Sequence, residues 1–166
     1  MENTKKGLSW KWTIVIILVI LIVGTYLIMK VNPPLEVDTI ASNEDKTMVV
    51  IGVGNTGFIG LKIKEVSVNN DEQPEEAKLQ IVAAEKGFTL TEDRESAEAD
   101  GYRFAPIDEY IKIGTSIEYT YVEDGMPLDE AEIYGVNINH DEPVQHVKIK
   151  YSHFGITYEE TVELGS

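Results

Sequence analysis

The sequence of 166 residues contains no cysteine. This absence excludes structural disulfides, zinc sites built on thiolates and a membrane anchor attached through a lipid-modified cysteine. It also excludes catalysis by a cysteine nucleophile. It does not identify a compartment, because many exported bacterial proteins are stable without disulfides.

Basic residues are scarce in most of the chain. Residues 31–166 contain 28 of the 29 acidic residues but only 10 of the 14 basic residues. A segment this acidic repels nucleic acid, so we expect no nucleic-acid partner. The first 30 residues have the opposite balance, with four lysines against the single acidic residue Glu2.

Histidine is also rare, and the chain lacks the common catalytic motifs. The three histidines are His140, His146 and His153. His146 stands beside lysines on the polar side of an alternating segment, and His153 precedes a Phe-Gly turn, so neither is expected to be a catalytic base. No G-x-S-x-G elbow, zinc-ligand spacing or calcium-loop pattern is present. We therefore predict a protein that is not an enzyme and has no cofactor, catalytic residue or metal site.

One long apolar run, WKWTIVIILVILIVGTYLIMK, occupies residues 10–30. A helix of this length spans about 30 Å, which is the thickness of a hydrocarbon core. Trp10 and Trp12 at one end and Tyr26 near the other are placed as interfacial aromatic residues, and Lys11 can extend to the head groups. No small-residue cleavage site ends the run, which favours an uncleaved transmembrane signal anchor over a cleaved signal peptide.

The lysines that flank the run predict its orientation. Lys5, Lys6 and Lys11 precede or begin it, and only Lys30 follows it closely. Because positively charged flanks remain in the cytoplasm, we expect a single-pass cell-membrane protein with a cytoplasmic N-terminus and an extracellular C-terminal domain. The predicted divisions are a tail over 1–9, the anchor over 10–30, a stalk that leads into or includes a first strand over 31–46, and a domain over 47–166.

A glycine motif opens the outer domain. Gly52, Gly54 and Gly57 have the G-x-G-x-x-G spacing of a dinucleotide-binding loop. That loop requires a helix after its last glycine, whereas the residues that follow, FIGLKIK, alternate with the two-residue period of a strand. We therefore predict a β-hairpin whose turn is Asn55, Thr56 and Gly57, with Gly57 free to adopt a positive φ.

The remaining segments also favour strands. From Ile59 onward, the apolar residues have odd numbers up to Ile63 and even numbers at Val66 and Val68. Since a regular strand would place these two sets on opposite faces, the change predicts a bulge near Lys64 and Glu65. Residues 74–86 carry both helix and strand signals and are predicted as a strand, whereas 91–101 read as an acidic loop. Further strands are predicted in 110–122, 133–139 and 144–164, the last being a hairpin with its turn at Phe154 and Gly155.

Seven or eight such strands predict an all-β fold, an immunoglobulin-like antiparallel β-sandwich after one transmembrane helix. The order of the strands cannot be deduced from the alternation. For its function we predict a binding or structural module that contacts other cell-envelope proteins. The alternatives are a receptor that binds a small ligand, a carbohydrate or Ca²⁺ through its loops and, as a third class, an exported hydrolase or accessory subunit.

Three segments carry a resemblance to known proteins: VGNTGFIGLKIKEVSVN, GFTLTED and VKIKYSHFGITYEETVEL. In these segments and in its layout the chain resembles uncharacterised single-pass membrane-anchored proteins of Gram-positive bacilli that carry a small extracytoplasmic β-domain. The resemblance implies a bacterial cell-envelope location. It implies no activity and no functional residues.

Overall fold

The computed structural model of the chain describes residues 10–115 and 131–165. It divides into two compact units, Met1–Pro33 and Pro34–Ser166. In chain order the elements are α1 (Trp10–Val31), β1 (Leu35–Ser42), β2 (Met48–Asn55), β3 (Leu61–Val68), β4 (Glu76–Ala83), α2 (Arg94–Ala99), β5 (Arg103–Pro106), β6 (Tyr110–Ile111), β7 (Glu132–Asn139), β8 (His146–His153) and β9 (Ile156–Glu163).

The first unit contains α1, which is apolar on all sides. None of its residues is buried, and its mean hydropathy of 2.8 and length of 22 residues are sufficient to cross a membrane. The helix ends at Val31 because the prolines that follow disfavour the helical conformation of the residue before them. The backbone and side-chain nitrogens of Asn32 both donate to the Ile28 carbonyl oxygen and satisfy this end of the helix.

The second unit is built from two antiparallel sheets, as the alternation predicted. Their strand orders are β1-β2-β7-β4-β5 and β6-β3-β8-β9. Inward-facing apolar residues of both sheets form one core, in which Ile51, Val136, Ile63 and Ile149 are completely buried. Burying such side chains contributes roughly 1.5–3 kcal/mol each to folding.

Several local predictions are confirmed. The register between β3 and β8 shifts between Ile63 and Glu65, which is the predicted bulge, and it keeps Val66 buried while Lys64 and Glu65 are exposed. Residues 76–83 form a strand rather than a helix. The C-terminal strands β8 and β9 pair as a hairpin through a two-residue turn, in which Phe154 (φ 50°) and Gly155 (φ 74°) both have positive φ.

The predicted hairpin at Asn55, Thr56 and Gly57 is wrong. The strands on its two sides, β2 and β3, belong to different sheets, so the segment is a crossover connection. β2 pairs instead with β1 and β7, and β3 pairs with β6 and β8. Gly57 also has no positive φ. Alternating burial is the same for a hairpin and for two strands in facing sheets, so the sequence pattern could not separate them.

Two other segments and the number of strands differ from the prediction. The acidic segment 91–101 contains α2, which begins after Asp93, whose carboxylate accepts a hydrogen bond from the Ser96 backbone N–H. The strand predicted over 110–122 is limited, in its described part, to the two residues of β6, and 116–122 lie outside the described residues. The described residues contain nine strands rather than seven or eight.

The outer face of the larger sheet is also covered. The Gln80 side chain, which is completely buried, exchanges two hydrogen bonds with the Thr89 backbone. A Cβ added to Gly135 would lie 2.8 Å from the Phe88 ring, so this ring sits directly on the glycine. The segment after β4 therefore packs across the sheet, which explains why β7 is buried on both faces.

Candidate functional site

Asn55 organises the crossover between the two sheets. Its side chain is completely buried and donates to the Ile59 carbonyl (2.9 Å) and the Ile111 carbonyl (3.1 Å). Its Oδ1 accepts from the Gly57 backbone N–H at 2.9 Å. One amide thus joins the end of β2, the crossover and β6 through three hydrogen bonds to backbone groups.

Gly57 is required for close packing rather than for an unusual backbone conformation. A Cβ at this position would lie 2.6 Å from Cε1 of His153 and 2.9 Å from the Pro34 Cβ. The His153 ring is only 3% exposed, and its edge meets the Phe154 ring with 4.8 Å between centroids. Burial lowers the pKa of His153 below its usual value. His153, which was not predicted to be catalytic, therefore packs against Gly57 and Phe154.

Three loops meet at this end of the β-domain: 56–60, 113–115 and 154–155. The Gly114 backbone N–H donates to the Asn55 carbonyl, and the Thr56 backbone N–H donates to the Pro34 carbonyl at 2.9 Å. Pro34, the first residue of the second unit, therefore lies among these loops. We call this end of the domain the apolar end, because the described residues of these three segments include no charged residue; the rest of the connection after Thr115, residues 116–130, lies outside the described residues.

Exposed apolar side chains are concentrated at the apolar end. Within the described part of the β-domain, all the exposed large hydrophobic residues lie on these loops or at the adjoining start of β6: Phe58 (85% exposed), Ile59 (41%), Tyr110 (59%), Ile113 (56%) and Phe154 (53%). Lys62 adds one cation, which lies 4.4 Å from the centre of the Tyr110 ring. Such concentration marks an interaction surface, since scattered exposed residues are the ordinary case.

The opposite end of the domain is acidic, and we call it the distal end. Its loops, 43–47, 69–75 and 140–145, are joined by hydrogen bonds such as Gln145 N–H to Asn69 Oδ1 at 2.8 Å. They carry Glu44, Asp45, Asp71, Glu72, Glu75, Asp141 and Glu142. Lys148 bonds to Asp71 and holds the pKa of that carboxyl below its usual range. The described loops at the two ends of the β-domain thus differ in charge.

The distal end does not assemble a metal site in the part of the chain that the structure describes. There, no group of three or more histidine, aspartate and glutamate side chains has the geometry to hold an ion. His140 is largely buried, and its Nε2 lies 3.5 Å from a carboxylate oxygen of Glu72. His146 is partly exposed at the start of β8.

The four edge strands of the sheets differ in how well they could accept another strand. β5 has four residues and β6 has two, and the pairing of β1 shifts register between Val37 and Ile40. β9 pairs with β8 over eight residues without a shift. Short or bulged edges resist strand addition, so β9 is the long regular edge among the described strands.

β9 also carries several carboxylates. Glu159 and Glu163 are exposed on its outer face. Glu160 lies on the same strand face as Tyr158 and Val162, which pack in the core. A charged residue on the inner face of an edge strand discourages pairing between identical copies.

The predicted anchor residues fall on or beside α1. Trp10, Lys11 and Trp12 form its first turn, and Tyr26 and Lys30 lie near its end, all on the helix surface. Lys5 and Lys6 lie outside the described residues. The arrangement agrees with a membrane-crossing helix and leaves its orientation a prediction.

The surface positions of Phe58 and Phe154 were not predicted from the sequence. Ile59 was expected inside a strand, but β3 begins only at Leu61. The available signal was composition, because TGFIG and FG are uncharged loops in an otherwise highly charged domain. The Tyr110 side chain is exposed, whereas Tyr102, Phe88 and Phe104 are partly buried.

Comparison of the chain with protein-family models, with curated proteins and with solved structures finds no match, so the geometry described above is the basis for assigning a function.

Proposed function

We propose that this chain is a single-pass membrane protein that displays an immunoglobulin-like β-sandwich outside the cytoplasmic membrane. In this proposal the sandwich is a non-catalytic module that contacts another cell-envelope protein. The apolar surface of α1 supports its role as a membrane anchor, because a helix that is apolar on every side is not stable when it is exposed to water. The lysine-rich N-terminal flank supports a cytoplasmic N-terminus.

The strand order supports the immunoglobulin-like description. Constant-type domains arrange their strands as ABED in one sheet and CFG in the other. Here β1-β2-β7-β4 occupy the places of ABED, and β3-β8-β9 occupy those of CFG. The short strands β5 and β6 extend the edges of this frame.

The single observation that carries the binding role is the long regular edge of β9. A partner strand can add to such an edge through backbone hydrogen bonds, while side chains provide selectivity. The carboxylates of Glu159 and Glu163 favour a partner strand that carries lysine or arginine. The favoured contact is therefore between β9 and a basic strand of another envelope protein.

Crosslinking in whole cells tests this role. A photoreactive amino acid replaces Thr161 on β9 in the full-length chain, and a control replaces Glu95 on α2, which covers the other sheet. We expect Thr161 to capture one protein whose crosslinked peptide, identified by mass spectrometry, is a basic strand. Capture of the same set of proteins from both positions would contradict a specific edge contact.

Charge reversal provides the matched comparison. The double variant Glu159→Lys and Glu163→Lys should reduce the Thr161 crosslink several-fold, because it places like charges opposite the partner strand. The control variant Glu95→Lys and Glu98→Lys makes the same change in net charge on α2. Equal losses from the two variants would show that only overall charge matters.

A further inference from the structure

The apolar end of the β-domain exposes apolar side chains to water, and no part of the described domain covers them. Phe58, on the crossover after Asn55, is 85% exposed although the core of the same domain is closely packed. Phe154 occupies a tight turn at positive φ, where a polar residue or glycine is more usual. Both positions expose aromatic rings where folding alone does not require them.

The chain itself brings this surface close to the end of α1. Pro34 accepts a hydrogen bond from Thr56 and lies against the position where Gly57 would carry a Cβ. Only Asn32 and Pro33 separate Pro34 from the last residue of α1, so the covalent path is at most about 11 Å long. If α1 crosses a bilayer, the apolar end must therefore lie within a short distance of the bilayer surface.

The distribution of charge favours the same arrangement. Among the described residues, the segments 56–60, 113–115 and 154–155 are uncharged, whereas the distal loops carry many carboxylates. An acidic surface is repelled by anionic head groups, and an uncharged surface with aromatic residues is not. Aromatic side chains are also the residues that proteins place at membrane interfaces.

We propose that the apolar end is a membrane-contact surface: Phe58, Ile113 and Phe154 insert into the interfacial region of the bilayer that α1 spans. The domain then stands on the membrane with its distal end directed away. Insertion of apolar residues to a depth of about 5–10 Å is typical of interfacial segments. This proposal rests on the membrane anchor of the proposed function and not on the contact at β9.

The absence of cysteine makes a direct test possible. Single variants Phe58→Cys, Ile113→Cys and Asn70→Cys each receive one environment-sensitive fluorophore on the full chain, reconstituted at one chain per nanodisc of phosphatidylcholine. Asn70 lies on an exposed distal turn and is the control. We expect labels at 58 and 113 to be quenched by a nitroxide on lipid acyl chains and protected several-fold from iodide in water. The Asn70 label should show the reverse.

A label at Ile20→Cys, in the middle of α1, separates the two proposals. Deep lipid quenching at 20 together with water-exposed labels at 58 and 113 would overturn the membrane-contact surface and leave the anchor intact. Absence of lipid quenching at 20 would overturn the anchor itself. Mixtures with phosphatidylglycerol should change the result little, because the inserted loops are uncharged.

The competing occupant is a second copy of the chain. Protection at 58 and 113 that appears only when several chains share a nanodisc, without quenching from lipid, would assign the apolar end to contact between copies and overturn the proposal. A second variant, Phe58→Ser with Phe154→Ser, is measured with the label at Ile113. We expect iodide quenching there to increase several-fold while the circular dichroism is unchanged, because both rings are exposed.

Discussion

At the scale of single residues, Asn55 and Gly57 hold the crossover by different means. Asn55 fills a buried position with hydrogen bonds to three backbone groups. Gly57 allows the chain to pass directly against the His153 ring. A pattern that resembles a phosphate-binding loop is therefore explained by packing and by buried polar groups.

The first prediction concerns Gly57→Ala. The added methyl group would overlap the His153 ring and Pro34, so we expect the free energy of unfolding to fall by about 1–3 kcal/mol. Gly165→Ala, where nothing lies within 4 Å, should change it by less than about 0.5 kcal/mol. Urea unfolding must be followed by circular dichroism, because both tryptophans, Trp10 and Trp12, lie in α1.

The second prediction concerns Asn55→Ala. It removes three hydrogen bonds, including the buried one to the Ile111 carbonyl oxygen, and we expect a loss of at least about 2 kcal/mol. Asn43→Ala is the matched control, since that side chain is only partly buried and bonds Met48 and Thr47 within one turn. It should cost about 1 kcal/mol. Equal losses in the same urea titration would contradict the special role of Asn55.

The third prediction concerns pH. The folded-state pKa of His153 is lowered by burial, so the unfolded chain binds its proton at a higher pH than the folded chain. The contribution of His153 to stability is therefore complete above about pH 6.5 and decreases as the pH falls from there toward the folded pKa. His153→Gln should reduce the stability difference between about pH 7.5 and pH 5.5.

At the scale of elements, the bulge in β3 decides which side chains enter the core. Without it, Val66 would face outward and Glu65 would face the other sheet. The shift between Ile63 and Glu65 avoids this and places both Glu65 and Lys64 in water. Lys150 of the neighbouring strand then pairs with Glu65 at 3.1 Å.

The fourth prediction tests this register. Val66→Ala should lower the free energy of unfolding by roughly 1–3 kcal/mol, because the side chain is buried in the core. Lys64→Ala should change it by less than about 0.5 kcal/mol, because that side chain is exposed. A strand without the bulge would make the cost at Val66 small, which the same urea titration would reveal.

Some elements could be predicted from the sequence and others could not, for a physical reason. Alternation identifies buried positions, and it led to β4, the β3 bulge and the C-terminal hairpin. Alternation does not show which strands pair with each other. For example, β2 pairs with β7, which is far from it in the sequence. Much of the candidate site was missed for the same reason, since the apolar end exists only when three distant loops meet.

At the scale of the whole molecule, the described segments 56–60, 113–115 and 154–155 at one end of the β-domain are uncharged, whereas the described loops at the other end are acidic. The apolar end includes Pro34, where the domain begins, and the distal end lies at the opposite ends of the strands. Strands of eight residues separate them by about 26 Å. This polarity is what the proposed arrangement at a membrane would require.

The fifth prediction concerns orientation. Protease added to intact cells should degrade the β-domain of the full-length chain, because the lysine-rich flank predicts a cytoplasmic N-terminus. The variant Lys5→Glu, Lys6→Glu and Lys11→Glu should protect a substantial share of the domain from protease. Protection of the unaltered chain in intact cells, with degradation only after lysis, would contradict the proposed orientation.

The short connection between α1 and β1 has a consequence for affinity. If α1 spans the bilayer as proposed, a domain joined to it by only Asn32 and Pro33 explores a thin layer beside the bilayer rather than a three-dimensional volume. A partner anchored in the same bilayer would therefore meet it at a high effective concentration. A pairwise interaction too weak to isolate from dilute solution could remain largely occupied in the cell.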